Sequence, residues 1–277
     1  MSNCVLVTGA GGYIGRFVVK ELCDKGLDVI AADIRTDGID SRASVLNENI
    51  FNGSETIFKE LGSPDICIHM AWRDGFVHNS PAHMGDLSAH YVFTKNMIEG
   101  GLKHLAVMGS MHEVGYYEGV IDENTPCNPI SMYGIAKDAL RRSTILLAKQ
   151  NNICLQWLRA FYIYGDDKRN NSIFSKLIIA AEQGKKTFPF TSGKNKYDFI
   201  HIEELAKQIA AAATQTEIDG IINCCTGKPI SLGEKVESFI EEHGFDIKLD
   251  YGAFPDRAYD SPAEWGNAEK INRIMCK

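Results

Sequence analysis

Apolar runs alternate with longer segments of helical periodicity through the first 165 residues of the chain. Five runs of four to six residues, rich in Val, Ile, Leu and Ala, are typical of buried strands: 4–7, 28–32, 66–70, 104–108 and 153–158. Residues 17–22, about 81–100 and a long stretch within 128–150 have the spacing of helices. Strands that alternate with helices in this way predict an α/β fold with a doubly wound parallel sheet.

Beyond Gly165 the pattern becomes less regular and richer in Lys, Asn and aromatic residues. We therefore expect a larger domain over 1–165 and a smaller C-terminal portion over 166–277, with some segments of that portion returning to the first domain. Ligands of doubly wound sheets bind beyond the carboxyl ends of the strands. The C-terminal portion is then expected to bind the substrate against that edge.

A glycine-rich turn joins the first predicted strand to the first predicted helix. Gly9, Gly12 and Gly15 are spaced Gly-x-x-Gly-x-x-Gly. Gly9 permits a tight turn, Gly12 lets the backbone approach a phosphate, and Gly15 lets the helix pack closely on the strand. Unpaired N–H groups and the helix dipole favour a pyrophosphate at this position. The turn predicts a Rossmann-type dinucleotide site.

The second predicted strand ends at Asp33, 18 residues beyond Gly15. An acid there accepts hydrogen bonds from the adenosine ribose hydroxyls and repels a 2′-phosphate, which favours NAD as the cofactor. Arg35, beside it, could hold that phosphate, so NADP stays open.

Composition narrows the class of partner. The chain has 277 residues and a net charge of −7, so it has no electrostatic reason to bind nucleic acid or an anionic membrane. The sequence has no signal-peptide layout and no apolar run near the ~20 residues that span a bilayer. Eight scattered cysteines form no Cys-x-x-Cys pair and the histidines share no ligand spacing. We expect a cytoplasmic protein without a metal site.

Candidate chemistry lies on the long helix. Tyr133 and Lys137 are four residues apart and therefore share one helical face. A nearby ammonium group lowers the pKa of a tyrosine, which makes Tyr133 a candidate acid and base for a carbinol or carbonyl oxygen. Ser110 follows the fourth predicted strand and supplies a hydroxyl for the same oxygen.

These motifs, in this order, resemble the extended short-chain dehydrogenase/reductase superfamily and its nucleotide-sugar epimerase/dehydratase group. The block at 197–206 and the Asn49-Ile50 pair resemble further family segments. The resemblance implies Ser110, Tyr133 and Lys137 as catalytic residues. It implies cofactor contacts by Gly9, Gly12, Tyr13, Ile14, Asp33, Arg35, Asn49, Ile50, Met70, Ala71, Trp72 and Lys137. It also implies a homodimer through the helix that carries Tyr133 and the preceding one. Those helix faces include Tyr91, Leu140, Ile145 and Leu146, which could equally belong to the core of one chain.

Departures from the family pattern concern the substrate. Tyr162 and Tyr197 replace the usual diphosphate-contacting Asn and Arg, and Lys196 and Arg257 could supply the charge instead. Met111 and His112 replace the Thr-Asp of a 4,6-dehydratase, so dehydration is not expected.

The segment from Ser110 to Tyr117 also resembles uronate dehydrogenases, which act on free sugar acids. Such an activity would need a carboxylate clamp, with Arg73 or Arg159 as candidates, although we favour the interpretation that both are simply solvated or paired arginines. Candidate substrate contacts are Arg73, Met111, His112, Arg159, Tyr162, Lys196 and Arg257.

The reaction that the resemblance implies is hydride transfer between NAD and a sugar carbon. The C-terminal portion is short for an epimerase, which has to enclose a rotating keto-sugar intermediate. We therefore expect a nucleotide-diphospho-4-keto-6-deoxyhexose reductase. A nucleotide-sugar epimerase, a uronate-type dehydrogenase and an NAD(H)-sensing regulator stay open, although the complete Ser-Tyr-Lys set argues against the regulator.

Overall fold

The computed structural model describes residues 3–168, 170–256 and 260–276. The strands are β1 (Cys4–Thr8), β2 (Asp28–Ala32), β3 (Ser44–Leu46), β4 (Ile66–His69), β5 (His104–Ser110), β6 (Gly119–Ile121), β7 (Cys154–Ala160), β8 (Tyr162–Tyr164), β9 (Thr187–Pro189), β10 (Lys196–His201), β11 (Gly220–Cys224), β12 (Pro229–Ser231), β13 (Lys248–Asp250) and β14 (Ala263–Gly266). The helices are α1 (Tyr13–Asp24), α2 (Ile57–Glu60), α3 (Ala82–Gly100), α4 (Met132–Asn151), α5 (Ile173–Glu182), α6 (Ile202–Ala213), α7 (Leu232–Glu242) and α8 (Glu269–Met275), with a 3-10 turn at Met111–Glu113.

Seven parallel strands form the main sheet, in the order β11-β7-β5-β4-β1-β2-β3. The chain starts in the middle at β1, runs outward to β3, and then crosses to β4 and continues in the other direction. The strand order therefore reverses between β1 and β4, which is where open α/β sheets bind ligands. The predicted Rossmann-type doubly wound sheet is confirmed.

Both faces of this sheet are covered, which explains the near-continuous apolar runs of its strands. Helices α1, α6 and α8 pack on one face and α3 and α4 on the other. Val5, Leu6 and Val7 of β1 are completely buried, so side chains on both sides of that strand contribute to the core. All five predicted strands lie in the main sheet.

Two strands of the main sheet, β3 and β11, are not among the five predicted apolar runs. β3 has only three residues, two of them exposed, so it carries no apolar run. β11 comes from the C-terminal part of the chain and pairs with β7 at the sheet edge. Residues 220–224 therefore return to the main sheet, whereas the domain boundary at residue 165 stays a prediction.

A second sheet lies over the carboxyl ends of the main-sheet strands. It has the order β12-β10-β14-β6, with β8 also paired to β10. Its core is aromatic and aliphatic, built on Phe174, Leu177, Val236 and Phe239. Within the described ranges, no helix is long and apolar enough to cross a membrane.

Candidate active site

A cleft of about 1550 Å³ separates the carboxyl ends of the main-sheet strands from the second sheet. The loops after β1, β2 and β4, the end of β5 and the start of α4 form its floor. Most of the residues singled out in the sequence line it: Gly9, Gly12, Tyr13, Ile14, Asp33, Arg35, Asn49, Ile50, Met70, Ala71, Trp72, Arg73, Ser110, Met111, His112, Tyr133, Lys137 and Tyr162. The fold thus brings distant motifs into one cavity.

The glycine turn packs closely against the loop after β4 and against the start of helix α1. Gly9 has φ of +70°, and a Cβ there would lie 2.6 Å from the backbone nitrogen of Ala71. Gly12 precedes α1, and a Cβ on Gly15 would lie 2.1 Å from the Gly9 carbonyl oxygen. Gly9 therefore allows both the left-handed turn and its contact with the loop after β4, while Gly15 allows α1 to pack on the turn.

Asp33 lies at the end of β2, within hydrogen-bonding distance of this turn. Its Oδ2 accepts from the Gly11 backbone N–H at 3.0 Å and its Oδ1 from the Arg35 backbone N–H at 3.0 Å. Both oxygens retain further acceptor capacity towards the cleft, since a carboxylate has about four lone-pair positions. The residues here fit the adenosine half of a dinucleotide, with an acid at the ribose position and the phosphate-binding turn below it.

Ser110 and Tyr133 are brought together by the packing of α4 on the 3-10 turn. The Ser131 side chain caps α4 by accepting from Gly134 N–H at 3.1 Å. A Cβ on Gly134 would lie 2.3 Å from the His112 carbonyl oxygen, so only glycine permits this approach. Tyr133 then forms a side-chain hydrogen bond with Ser110.

The pKa of Tyr133 differs from the prediction. Burial raises the pKa of Tyr133 to about 12, and the hydrogen bond with Ser110 opposes that rise without overcoming it. The Lys137 Nζ lies 5.9 Å from the Tyr133 ring centroid. The pKa of Tyr133 is thus not lowered towards neutral pH as predicted, because burial is the largest influence on it.

Lys137 is nevertheless held at the floor of the cleft. It is 3% exposed, and its ammonium group donates to the Met108 carbonyl oxygen at 2.7 Å. The same nitrogen lies 3.8 Å from the centroid of the Trp72 ring, a cation–π contact. Burial lowers the pKa of Lys137 below its usual value, and the negative charge of Glu113 opposes this.

Three histidines around Trp72 and Tyr133 belong to the site, although the sequence gives no sign of it because they share no spacing. The Trp72 ring stacks on His90 with centroids 4.3 Å apart, and its Nε1–H donates to His83 Nδ1 at 3.1 Å. The ring of His78 stacks on Tyr133, with centroids 5.6 Å apart. Trp72, predicted as a cofactor contact, is thus also a neighbour of Lys137.

Two substrate candidates, Arg159 and Lys196, require correction, and Arg73 is paired. Arg159 is completely buried, where it donates to the Asp122 carbonyl oxygen at 3.1 Å and lies 3.6 Å from Glu113, so it cannot contact a ligand in the cleft. Lys196 is exposed but does not line the cleft. Arg73 does line it and is paired with Asp86 through two hydrogen bonds. Arg257 lies outside the described residues.

Comparison with known proteins extends these findings. The family model described as NAD dependent epimerase/dehydratase family matches residues 5–225. The chain is 45% identical over 269 residues to a dTDP-6-deoxy-L-talose 4-dehydrogenase (NAD(+)) from Aggregatibacter actinomycetemcomitans, covering 95% of this chain and 98% of that one. It is 29% identical to a putative UDP-glucose 4-epimerase from Methanocaldococcus jannaschii, covering 94% and 86% of the two chains.

Solved structures share the fold at lower identity. MoeE5 in complex with UDP-glucuronic acid and NAD superposes with a TM-score of 0.83 at 24% identity, covering 98% of this chain and 92% of that one. A UDP-N-acetylglucosamine 4-epimerase from Methanobrevibacter ruminantium M1 gives a TM-score of 0.87 at 19% identity, covering 100% and 93%. The site geometry, the family match and the close relative lead to one conclusion: the chain belongs to the NAD dependent epimerase/dehydratase family and is an NAD-dependent enzyme of the short-chain dehydrogenase/reductase type.

Proposed function

We propose that the enzyme interconverts the C4 hydroxyl and the C4 ketone of a dTDP-linked 6-deoxyhexose, using NAD. The observation that carries the proposal is the convergence of Ser110, Tyr133 and Lys137 at the floor of one cleft whose far end presents Asp33. The relative that is 45% identical along nearly the full length of both chains is named for the oxidation of such a sugar at C4. The 4-keto reductase expected from the sequence is the same reaction in the opposite direction.

Three groups of residues that line the cleft match particular parts of NAD. The turn from Gly9 to Gly15 would hold the pyrophosphate, Asp33 the adenosine ribose, and Lys137 the nicotinamide ribose. When bound, NAD supplies the acceptor or donor of the hydride, which the protein itself lacks.

The protein's own groups manage the proton and the sugar oxygen. In the oxidative direction the phenolate form of Tyr133 would take the proton of the C4 hydroxyl while the C4 hydrogen leaves with its electron pair to NAD⁺, and in reduction the phenol would return that proton. Ser110 donates a hydrogen bond that orients the oxygen. With its pKa near 12, Tyr133 carries its proton at neutral pH and is ready to act as an acid. Oxidation is therefore expected to rise with pH, because it needs the deprotonated form of Tyr133.

The test follows the near-ultraviolet absorbance of NADH. Wild-type protein is mixed with NAD⁺ and dTDP-6-deoxy-L-talose, and separately with NADH and the corresponding 4-keto sugar. Tyr133→Phe should lower the rate by about 10²- to 10⁴-fold. Tyr116→Phe, which changes an exposed tyrosine that does not line the cleft, is the matched control. Unchanged absorbance in both directions with wild type would overturn the proposal.

The uronate dehydrogenase and epimerase activities differ in what supports them. A uronate dehydrogenase would need a free cationic clamp, but Arg159 is buried and Arg73 is paired, so that function is not proposed. An epimerase is a second candidate, supported by the relative named putative UDP-glucose 4-epimerase. It would convert the sugar to its C4 epimer without net change in NADH absorbance, which chromatography of the product would detect.

A further inference from the structure

One wall of the cleft carries a buried carboxylate with no role in the mechanism above. Glu264 of β14 is 3% exposed and lines the cleft. Its Oε1 accepts from the Tyr162 hydroxyl at 3.0 Å, and its side chain is also hydrogen-bonded to Ser261. Burial raises the pKa of Glu264 to about 7, against the effect of these two hydrogen bonds. A carboxylate that is buried at such a cost and faces a ligand cavity is a candidate for substrate recognition.

Aromatic packing fixes the position of this carboxylate. The rings of Tyr162 and Tyr197 lie 4.1 Å apart between centroids, and Asn195 donates to the Tyr197 hydroxyl at 3.2 Å. Tyr197 and Glu264 are also register partners on adjacent parallel strands. Glu264 therefore lies at the end of a row of polar groups formed by the Asn195 amide and the hydroxyls of Tyr197 and Tyr162. Two protein donors use only part of its acceptor capacity, because a carboxylate has about four acceptor positions.

The negative charge of this wall repels a phosphate group and favours an uncharged hydrogen-bond donor. Asp260 lines the same part of the cleft as Glu264. Over the described ranges 3–168, 170–256 and 260–276, the cationic side chains that line the cleft are Arg35, Arg73 and Lys137. Arg35 and Lys137 lie in the cofactor half, and Arg73 is paired with Asp86. An acidic wall that repels phosphate but accepts hydrogen bonds matches the uncharged hydroxyl groups of a sugar ring.

This wall is also close to the reacting position. The His112 ring neighbours both Tyr133 of the reacting position and Tyr162 of this wall, with its centroid 6.0 Å from that of Tyr133 and 6.3 Å from that of Tyr162. A hexose whose C4 oxygen meets Ser110 and Tyr133 can therefore turn another edge of its ring towards Glu264. We propose that Glu264 accepts a hydrogen bond from a second hydroxyl of the hexose, and so selects sugars that keep that hydroxyl.

The inference rests on the proposed function, and its test uses a substrate series. Wild type, Glu264→Gln and the control Glu237→Gln are assayed with dTDP-6-deoxy-L-talose and with its analogues that lack the 2- or the 3-hydroxyl. Glutamine keeps the volume and an oxygen for Tyr162 to donate to. Glu237 is a matched control because its carboxylate accepts from Tyr251 at 2.7 Å on the outside of the cleft.

The expected result is selective. At pH 8, where Glu264 is mostly ionised, Glu264→Gln should lower kcat/KM for the parent sugar by about 10- to 100-fold, the range for a hydrogen bond to a charged group. For one of the two deoxy analogues, wild type should already be slow and Glu264→Gln should change nothing further. Glu237→Gln should leave all three substrates unaffected. An equal loss on every substrate, or no loss on any, would overturn the role of Glu264.

Calorimetric titration of the same sugars in the presence of NADH separates the two proposals. If wild type binds the parent sugar without turning it over, the proposed function fails, while the selective loss can still be read in Kd. If wild type turns the sugar over and Glu264→Gln affects all sugars alike, only the role of Glu264 fails. If wild type binds none of the sugars, both fail.

Discussion

Lys137 shows how a single side chain is prepared for chemistry by neighbours from other elements. The Met108 carbonyl oxygen fixes one direction of its ammonium group, and the face of Trp72 lies against the nitrogen. Trp72 is itself held by His83 and His90. The ring thus positions the cation and stabilises its charged form, since burial alone disfavours that form.

Two replacements of Trp72 should therefore separate the contribution of its ring face from that of its hydrogen bond to His83. Trp72→Phe keeps an aromatic face and loses the donor to His83, whereas Trp72→Leu loses both. We expect Trp72→Leu to have kcat/KM about tenfold below that of Trp72→Phe, in line with a cation–π contact of about 1–2 kcal/mol. The pKa of Lys137 should fall in Trp72→Leu. The decline of kcat/KM at alkaline pH should therefore begin at a lower pH in that variant. Identical pH profiles of kcat/KM in the two variants would contradict this role.

Asp33 is expected to decide the choice between NAD and NADP. Its two oxygens accept from Gly11 and Arg35 backbone N–H groups, which fixes the charge at the end of β2. Asp33→Ser removes the charge that would repel a 2′-phosphate and leaves the Arg35 guanidinium beside the cleft. The ratio of kcat/KM for NAD to that for NADP should fall by about tenfold or more, equivalent to about 1.4 kcal/mol. Asp37→Ser, an exposed acid four residues on, is the control; an equal fall there would refute the role of Asp33.

A pair of buried histidines joins three elements of the fold. His69 of β4 pairs with Thr8 of β1 at 2.8 Å and with His90 of α3 at 3.0 Å. Burial lowers the pKa of His90 to about 2 and that of His69 to about 3. The folded state therefore excludes protons that the unfolded chain binds below its own histidine pKa of about 6.5. The stability that these residues provide is complete above that pH and is lost as the pH falls below it.

His90→Gln should make this dependence measurable. Glutamine can still hydrogen-bond His69 but does not titrate. Between pH 7 and pH 5, the free energy of unfolding of wild type should fall by about 2 kcal/mol relative to that of the variant. Urea denaturation of both proteins at the two pH values measures the difference. A difference that stays constant, or that moves in favour of wild type, would contradict the burial argument.

The elements that the sequence predicts well are those with a strong local signal. The runs at 28–32 and 66–70 are apolar because both faces of the sheet are covered, so they could be recognised without knowledge of their partners. The strands of the second sheet are mostly three residues long and could not. Glu264 is 102 residues from Tyr162 in the chain, so their contact depends on strand pairing that no local pattern encodes. Arg159 was misassigned for the same reason, because its partner Glu113 is remote in sequence.

At the scale of the whole molecule, α3 and α4 pack side by side on one face of the main sheet and carry apolar groups on their outer surface. Tyr91 and Leu146, two of the residues expected in a dimer contact, are exposed, Leu146 by 60%. Leu140 is completely buried within the protomer and therefore belongs to its core, and Ile145 is partly buried against the same core. Solvent-exposed apolar side chains on two neighbouring helices favour a two-fold contact between copies of the chain.

The homodimer is therefore predicted through Tyr91 and Leu146 rather than through all four residues. Leu146→Glu would place one charge from each copy in a self-complementary contact, and burying those charges unpaired should shift the protein from dimer to monomer. Light scattering coupled to size-exclusion chromatography gives the mass directly. Ile179→Glu changes another exposed apolar residue, 37% exposed on α5, and should leave the mass unchanged. A wild-type protein that elutes with the mass of one 30.7 kDa chain would refute the dimer. Because no cleft-lining residue is altered, NAD binding by Leu146→Glu should persist in the monomer.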